Sequence, residues 1–224
     1  MDEVQRDLAK SRALRKYEAP PLVVDVDPIE PRLDLYSPFG PLIAKAEMRP
    51  DFVERLNSRA DPLARPNQSS EFRLSSEIVF EGGDQSLMSV TEGLVRRYVT
   101  RIDGVAPQRV RIDIFWIVSQ QASSPSPVHF HSSDISGVLY LKTPKIDGEE
   151  DEERKTYISG RQAGYINFLI GGKQKHCKSL ASFKPRVGDF YIFPGWLLHG
   201  AEPFRGTGER RSLAFNAYLD GSAD

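Results

Sequence analysis

Val110-Arg111-Ile112-Asp113-Ile114-Phe115-Trp116 is the stretch at which the sequence changes its period. Val110, Ile112, Ile114 and Trp116 recur at every second position, the repeat that puts apolar side chains on one face of a strand. Just upstream the repeat is helical. Leu87, Thr91, Leu94, Val95, Tyr98 and Ile102 recur at three- and four-residue steps, so Asp84 to Ile102 is expected as a helix, capped by Asp84 after Gly82-Gly83. Downstream, strand patterns recur at Val128 to His131, Gly137 to Lys142, Gly164 to Ile170, Leu180 to Lys184, Asp189 to Phe193 and Arg210 to Leu219, separated by Gly, Pro, Ser and charged clusters. Strand after strand behind one long helix predicts a mainly β fold, a barrel or sandwich with an N-terminal α layer.

Further upstream, prolines at 20, 21, 28, 31, 38, 41 and 50 forbid long helices and favour short extended pieces. A short helix is expected from Asp51 to Ser58, with Phe52, Val53 and Leu56 on one side. Residues 1–21 are mostly charged with sparse leucines and read as an arm, mobile or packed on a partner. The expected organisation is that arm, then one domain over 22–224 with a helical layer at about 51–103 and a barrel at about 108–220. The acidic run from Gly148 to Lys155 reads as a solvated hairpin tip.

Hydrophobic residues make up 39% of the 224, enough for a sizeable core. Thirty basic against 31 acidic residues argue against nucleic acid as the main partner, because phosphate binding draws on a basic excess. The single cysteine, Cys177, excludes an internal disulfide and a zinc site built on several thiolates. It shares a basic loop with His176, read as a solvent-exposed turn. No apolar run approaches the ~20 residues that span a bilayer, and the N-terminus lacks the apolar core of a signal peptide. A cytoplasmic protein without membrane contact is expected, with homo-oligomerisation left open.

The scarce chemistry lies in the histidines. On a strand, His129 and His131 share a face, and two imidazoles so placed can grip one metal ion. The alternative is a pair of ordinary hydrogen-bonded histidines. Asp134 follows on a loop, either as a further carboxylate ligand or as a turn cap. In Gly188-Asp189-Phe190-Tyr191-Ile192-Phe193-Pro194-Gly195-Trp196-Leu197-Leu198-His199-Gly200, a turn, an apolar strand and a second turn deliver His199, suited to be the remote partner of the pair. In Glu209-Arg210-Arg211-Ser212-Leu213-Ala214-Phe215-Asn216, alternation puts Arg210, Ser212, Ala214 and Asn216 on one face and Arg211, Leu213 and Phe215 on the other. A guanidinium with a hydroxyl two residues on makes a carboxylate clamp, unless the arginines merely flank an edge strand.

Taken in order, VHFHSSDISGVLYLKTP, GDFYIFPGWLLHG and ERRSLAFN resemble the iron(II)- and 2-oxoglutarate-dependent oxygenases, and within them a bacterial and phage group with an HxH, a GD…FP…H segment and an ERxSxxFN strand. The resemblance covers roughly Ile112 to Leu219. It implies a double-stranded β-helix (a jelly roll, cupin-like), with the metal in its open mouth. It assigns His129 and His199 as iron ligands and Arg210, helped by Ser212, as the clamp on the distal carboxylate of 2-oxoglutarate. Asn216 and Tyr140, on candidate barrel strands, are expected to line the same pocket, with Trp116, Phe130 and Trp196 as apolar walls or packing residues. One departure stands out, because His131 occupies the position where the wider superfamily has Asp or Glu. A three-histidine site of His129, His131 and His199 is favoured. The other options are Asp134 as the acid ligand, or His131 positioning a water.

The implied activity is oxidative decarboxylation of 2-oxoglutarate to succinate, coupled to hydroxylation of a small-molecule or protein side-chain substrate. Two alternatives are a cupin-type metalloprotein that does not use 2-oxoglutarate and a non-catalytic β-barrel binding module.

Overall fold

The strand that begins at Val110 runs for 11 residues to Gln120, and the rest of the barrel is built on it. A bulge opposite Asn216 and Ala217 shifts its parity: Val110 and Ile112 join Phe115 and Ile117 in the core, while Trp116, expected on their face, lies on the other. The computed structural model describes residues 23–25, 31–36, 38, 40–78, 85–124, 126–147, 162–171 and 178–220. The expected arm at 1–21, the acidic run at 148–155 and the loop with His176 and Cys177 lie outside these. In chain order the first elements are β1 (Val23–Asp25), β2 (Leu33–Tyr36), β3 (Ile43–Glu47), α1 (Pro50–Ala60), β4 (Ser70–Leu74) and α2 (Leu87–Asp103). Then come β5 (Val110–Gln120), β6 (Ile135–Lys142), β7 (Lys145–Ile146), β8 (Ile166–Leu169) and β9 (Leu180–Phe183). The chain closes with β10 (Asp189–Pro194), β11 (Leu198–Ala201), β12 (Gly206–Thr207) and β13 (Arg210–Leu219).

An eight-stranded antiparallel sheet runs β1-β2-β3-β10-β6-β13-β5-β4, beside a three-stranded sheet β11-β8-β9 and the pair β12-β7. This is the mainly β architecture that the strand patterns predict, and the double-stranded β-helix that the family resemblance implies. Period-2 alternation sorts the large sheet into two faces. Phe190 and Ile192 of β10, Leu139 and Leu141 of β6, and Leu213 and Phe215 of β13 join Phe52 and Leu56 of α1 and Val95 and Tyr98 of α2 in one core. The intervening Tyr140, Tyr191 and Phe193 face the other way and pack on Ile166, Phe168 and Phe183 of the small sheet. Each such fully buried large apolar side chain stabilises the fold by about 1.5–3 kcal/mol. Gly137 of β6 has no space for a side chain, since a methyl group there would overlap the Phe215 ring.

Three further details differ from the sequence reading. The helical layer is interrupted by β4, whose Ser70-Glu71-Phe72-Arg73-Leu74 pairs with β5 and extends the large sheet. Helix α2 is capped by Ser86: its Oγ accepts the Ser89 amide at 3.1 Å and Ser89 Oγ accepts the Ser86 amide at 2.8 Å. That reciprocal capping box starts the helix at Leu87, while Asp84 lies outside the described residues. Finally, Val128 to His131 forms no continuous strand, only a single bridge between His129 and His199. The preceding Pro127 has no amide hydrogen with which to extend the ladder. Among the described residues, no helix is long and apolar enough to cross a membrane.

Candidate metal and cosubstrate site

Backbone bonds, not a sheet, bring the histidines together. His129 N–H donates to the His199 carbonyl and His199 N–H to the His129 carbonyl, both at 2.9 Å. His131 N–H donates to the Gly195 carbonyl and Gly195 N–H to the Asp134 carbonyl, again at 2.9 Å each. Gly195 passes so close to the Ser133 backbone that a side chain would clash, which is why the turn after β10 carries glycine there. These bonds gather the ring nitrogens of His129, His131 and His199 within 4.8 Å of one another, the one such cluster of potential metal ligands among the described residues.

The protonation state suits a metal. His129 Nδ1 lies 2.8 Å from the Pro127 carbonyl and His199 Nδ1 2.8 Å from the Leu197 carbonyl. A carbonyl only accepts, so both Nδ1 atoms carry the hydrogen and both Nε2 lone pairs are left for a cation. Burial pushes His199 down to about 4, well below the ordinary imidazole value, with the Leu197 carbonyl opposing and the other two histidines adding to the effect. His131 is lowered as well, by burial and then by His129. The three imidazoles together offer nitrogen donors of the kind that hold iron(II) and neighbouring transition metals, so the residues fit the ion. Asp134 is not part of the cluster, because its Oδ2 accepts the Leu219 amide at 2.8 Å.

The cluster opens into a cavity of about 590 Å³ of empty space, its mouth included, and Arg210, Ser212 and Tyr140 line the same cavity. Arg210 is only 2% exposed. Its Nε and Nη2 donate to Gln120 Oε1 at 3.0 and 2.7 Å, and its Nη1 donates to the Glu202 carbonyl at 2.6 Å. None of the ion pairs among the described residues includes Arg210. A guanidinium has five N–H bonds; three are taken, so one remains on each terminal nitrogen. The Tyr140 and Ser212 hydroxyls face the same cavity and make no hydrogen bond among the described residues. Burial above all pushes the Tyr140 phenol up to about 12, with the Arg210 charge opposing, so it stays a neutral donor. This end of the cavity is rich in donors and poor in acceptors, the environment a carboxylate needs.

Asn216 is the expected lining residue that does not reach the cavity wall. Its Oδ1 accepts the Ser136 hydroxyl at 2.8 Å and the Ser133 hydroxyl at 3.3 Å, so it supports Ser136, which does line the cavity. Trp116 lines it too, with its ring 5.9 Å from His131. Phe130 and Trp196 stand instead at the surface, 63% and 55% exposed, Phe130 beside the single His129 bridge and Trp196 in the turn after β10. Gln120 was not singled out from the sequence. The signal for it is the continued alternation Trp116, Val118, Gln120, all of which line the cavity.

Comparison with known proteins agrees with this geometry. No curated protein matches the chain. Among solved structures, HygX from Streptomyces hygroscopicus with nickel and 2-oxoglutarate bound superposes with a TM-score of 0.53 at 13% identity, covering 82% of this chain and 84% of that one. The viral collagen prolyl hydroxylase of Paramecium Bursaria Chlorella virus-1, a 2-oxoglutarate complex, gives 0.50 at 11% identity, covering 78% of this chain and 94% of its own. At these identities the likeness concerns the fold. A family model described as "Putative 2OG-Fe(II) oxygenase" matches residues 114–216. That span runs from within β5 into β13 and contains the three histidines, Tyr140 and Arg210, and over it the chain is similar to the oxygenases that depend on iron(II) and 2-oxoglutarate.

Proposed function

We propose that the enzyme is a dioxygenase that couples conversion of 2-oxoglutarate to succinate with hydroxylation of a small molecule or a protein side chain. In this reading one domain over 22–224 carries the whole site. His129, His131 and His199 hold the iron, and Arg210, Ser212 and Tyr140 hold the distal carboxylate. The observation that carries the proposal is the polarity of one cavity: three clustered imidazoles at one end and, at the other, a buried guanidinium with no ion pair among the described residues. The three histidines and Arg210 line the one cavity, so a single dicarboxylate can address both ends.

Iron(II) with 2-oxoglutarate and dioxygen supplies the oxidising chemistry when bound. The chain contributes orientation and exclusion of water. Arg210 and the two hydroxyls fix the ligand's far end, which confines its keto acid end to the metal side. Val118, Val138 and Ala214 supply apolar wall between the two. With His131 in place of a carboxylate, the ligand set brings no negative charge of its own, so the ion keeps one more unit of positive charge than in a two-histidine, one-carboxylate site.

Anaerobic titration of the iron(II)-loaded protein with 2-oxoglutarate is expected to raise a weak visible charge-transfer band, and the protein should form succinate slowly without substrate. A fully metallated protein that shows neither would overturn the proposal.

A further inference from the structure

We infer that Gln120 is a positioning and selectivity residue: a neutral lock that orients the Arg210 guanidinium and leaves its positive charge for a ligand carboxylate. The inference rests on the clamp role proposed for Arg210. Gln120 and Arg210 are directly opposed on β5 and β13, so their side chains share a face. One oxygen, Gln120 Oε1, accepts from both Nε and Nη2, at 3.0 and 2.7 Å. Because guanidinium only donates, the amide must present its oxygen here, and the plane of the cation is thereby fixed. The third bond goes to a backbone carbonyl, that of Glu202, at 2.6 Å. Both acceptors are uncharged.

A glutamate has the same shape and would accept the same fork more strongly. It would also close an internal ion pair and oppose an incoming carboxylate. The next residue shows that this chain builds such pairs: Arg211 is held by Glu209 at 2.7 and 3.0 Å. The Glu202 carboxylate also acts on the Arg210 charge, but it accepts from Asn167 Nδ2 at 2.7 Å and forms no ion pair with the guanidinium. The choice of Gln or Glu at position 120 therefore sets whether the fork itself is neutralised.

The test compares 2-oxoglutarate with 2-oxopentanoate, which lacks the distal carboxylate, by anaerobic calorimetric titration of the iron(II)-loaded protein. Wild type should prefer 2-oxoglutarate by roughly 30-fold or more. In Gln120→Glu that preference should fall below about threefold, with iron(II) and 2-oxopentanoate affinities unchanged, since like-charge opposition costs several kcal/mol and acts only on the distal charge. Should that variant fail to bind iron(II) or 2-oxopentanoate, Gln120→Met decides. It keeps the length without the acceptor, and the preference should drop about tenfold. An undiminished preference in Gln120→Glu, or in Gln120→Met where that variant decides, overturns the inference. Absence of any preference in wild type overturns the clamp reading itself.

Discussion

Arg210 and Arg211 are consecutive, each 2% exposed, and they do opposite things. Alternation along β13 sends Arg211 toward the helical layer, where it meets Glu209 at 2.7 Å, Asp61 at 2.6 Å and Asn57 at 3.2 Å. Arg210 points into the cavity and is met by an amide oxygen and a backbone carbonyl. Equal burial therefore says little about role. A buried charge that is neutralised in place belongs to the fold, whereas one that is oriented but not neutralised is left for a ligand.

Breaking the neutralised arginine should have the largest effect. Arg211→Met is expected to lower stability by about 3 kcal/mol in chemical denaturation, because Glu209 is left partly buried without its partner. Its 2-oxoglutarate affinity, once folded, should match wild type. Arg210→Ala should do the reverse, weakening 2-oxoglutarate binding by about 100-fold, or roughly 2.7 kcal/mol, with iron(II) affinity and folding midpoint little changed. If both variants lose stability and binding together, the division between the two arginines is wrong.

A pH series sharpens the same contrast. Burial raises the Glu209 carboxyl, but bonds from Arg211 and Ser119 and the charges of Arg211 and Lys142 hold it below its ordinary value of 4.5 overall. Asp61 is lowered too, first by its bond to Lys142. Since Asp61 is half-exposed, its share is screened and Glu209 matters more. A carboxylate with a depressed folded pKa contributes stability that is fully present above its unfolded value and is lost as pH falls through the folded one. Wild-type stability should therefore decline below about pH 4.5, and Arg211→Met should show a flatter decline over the same range by thermal melts. The smallest expected effects come from the neutral partners. Ser212→Ala should cost about three- to tenfold in 2-oxoglutarate affinity, one neutral hydrogen bond. Asn57→Ala should cost about 1 kcal/mol of stability and nothing in binding.

Much of this was legible in the sequence because it depends on short-range periodicity. The period-2 pattern from Val110 marked β5, the 3.6 pattern marked α2, and the parity of Glu209 to Asn216 assigned the two arginines to opposite faces before any partner was known. What parity did not supply is the identity of those partners. Asp61 and Asn57 lie about 150 residues from Arg211, and Gln120 meets Arg210 only because the β5–β13 register opposes them. The alternative in which both arginines flank an edge strand fails for the same reason, since β13 lies inside the sheet between β6 and β5. Asn216 shares its parity with Arg210 yet stops at the Ser136 and Ser133 hydroxyls, a contact set by packing.

The histidines divide in the same way. Sequence alone determined which three imidazoles are candidates and that no thiolate cluster competes with them. Only the tertiary structure decided that their ring nitrogens converge, through four backbone bonds between two distant turns, and that Pro127 and Leu197 carbonyls turn two of the lone pairs inward. The physical reason is the range of the forces involved. Side-chain parity is fixed by the local backbone geometry of each strand, while protonation, charge compensation and convergence depend on register between segments far apart in the chain.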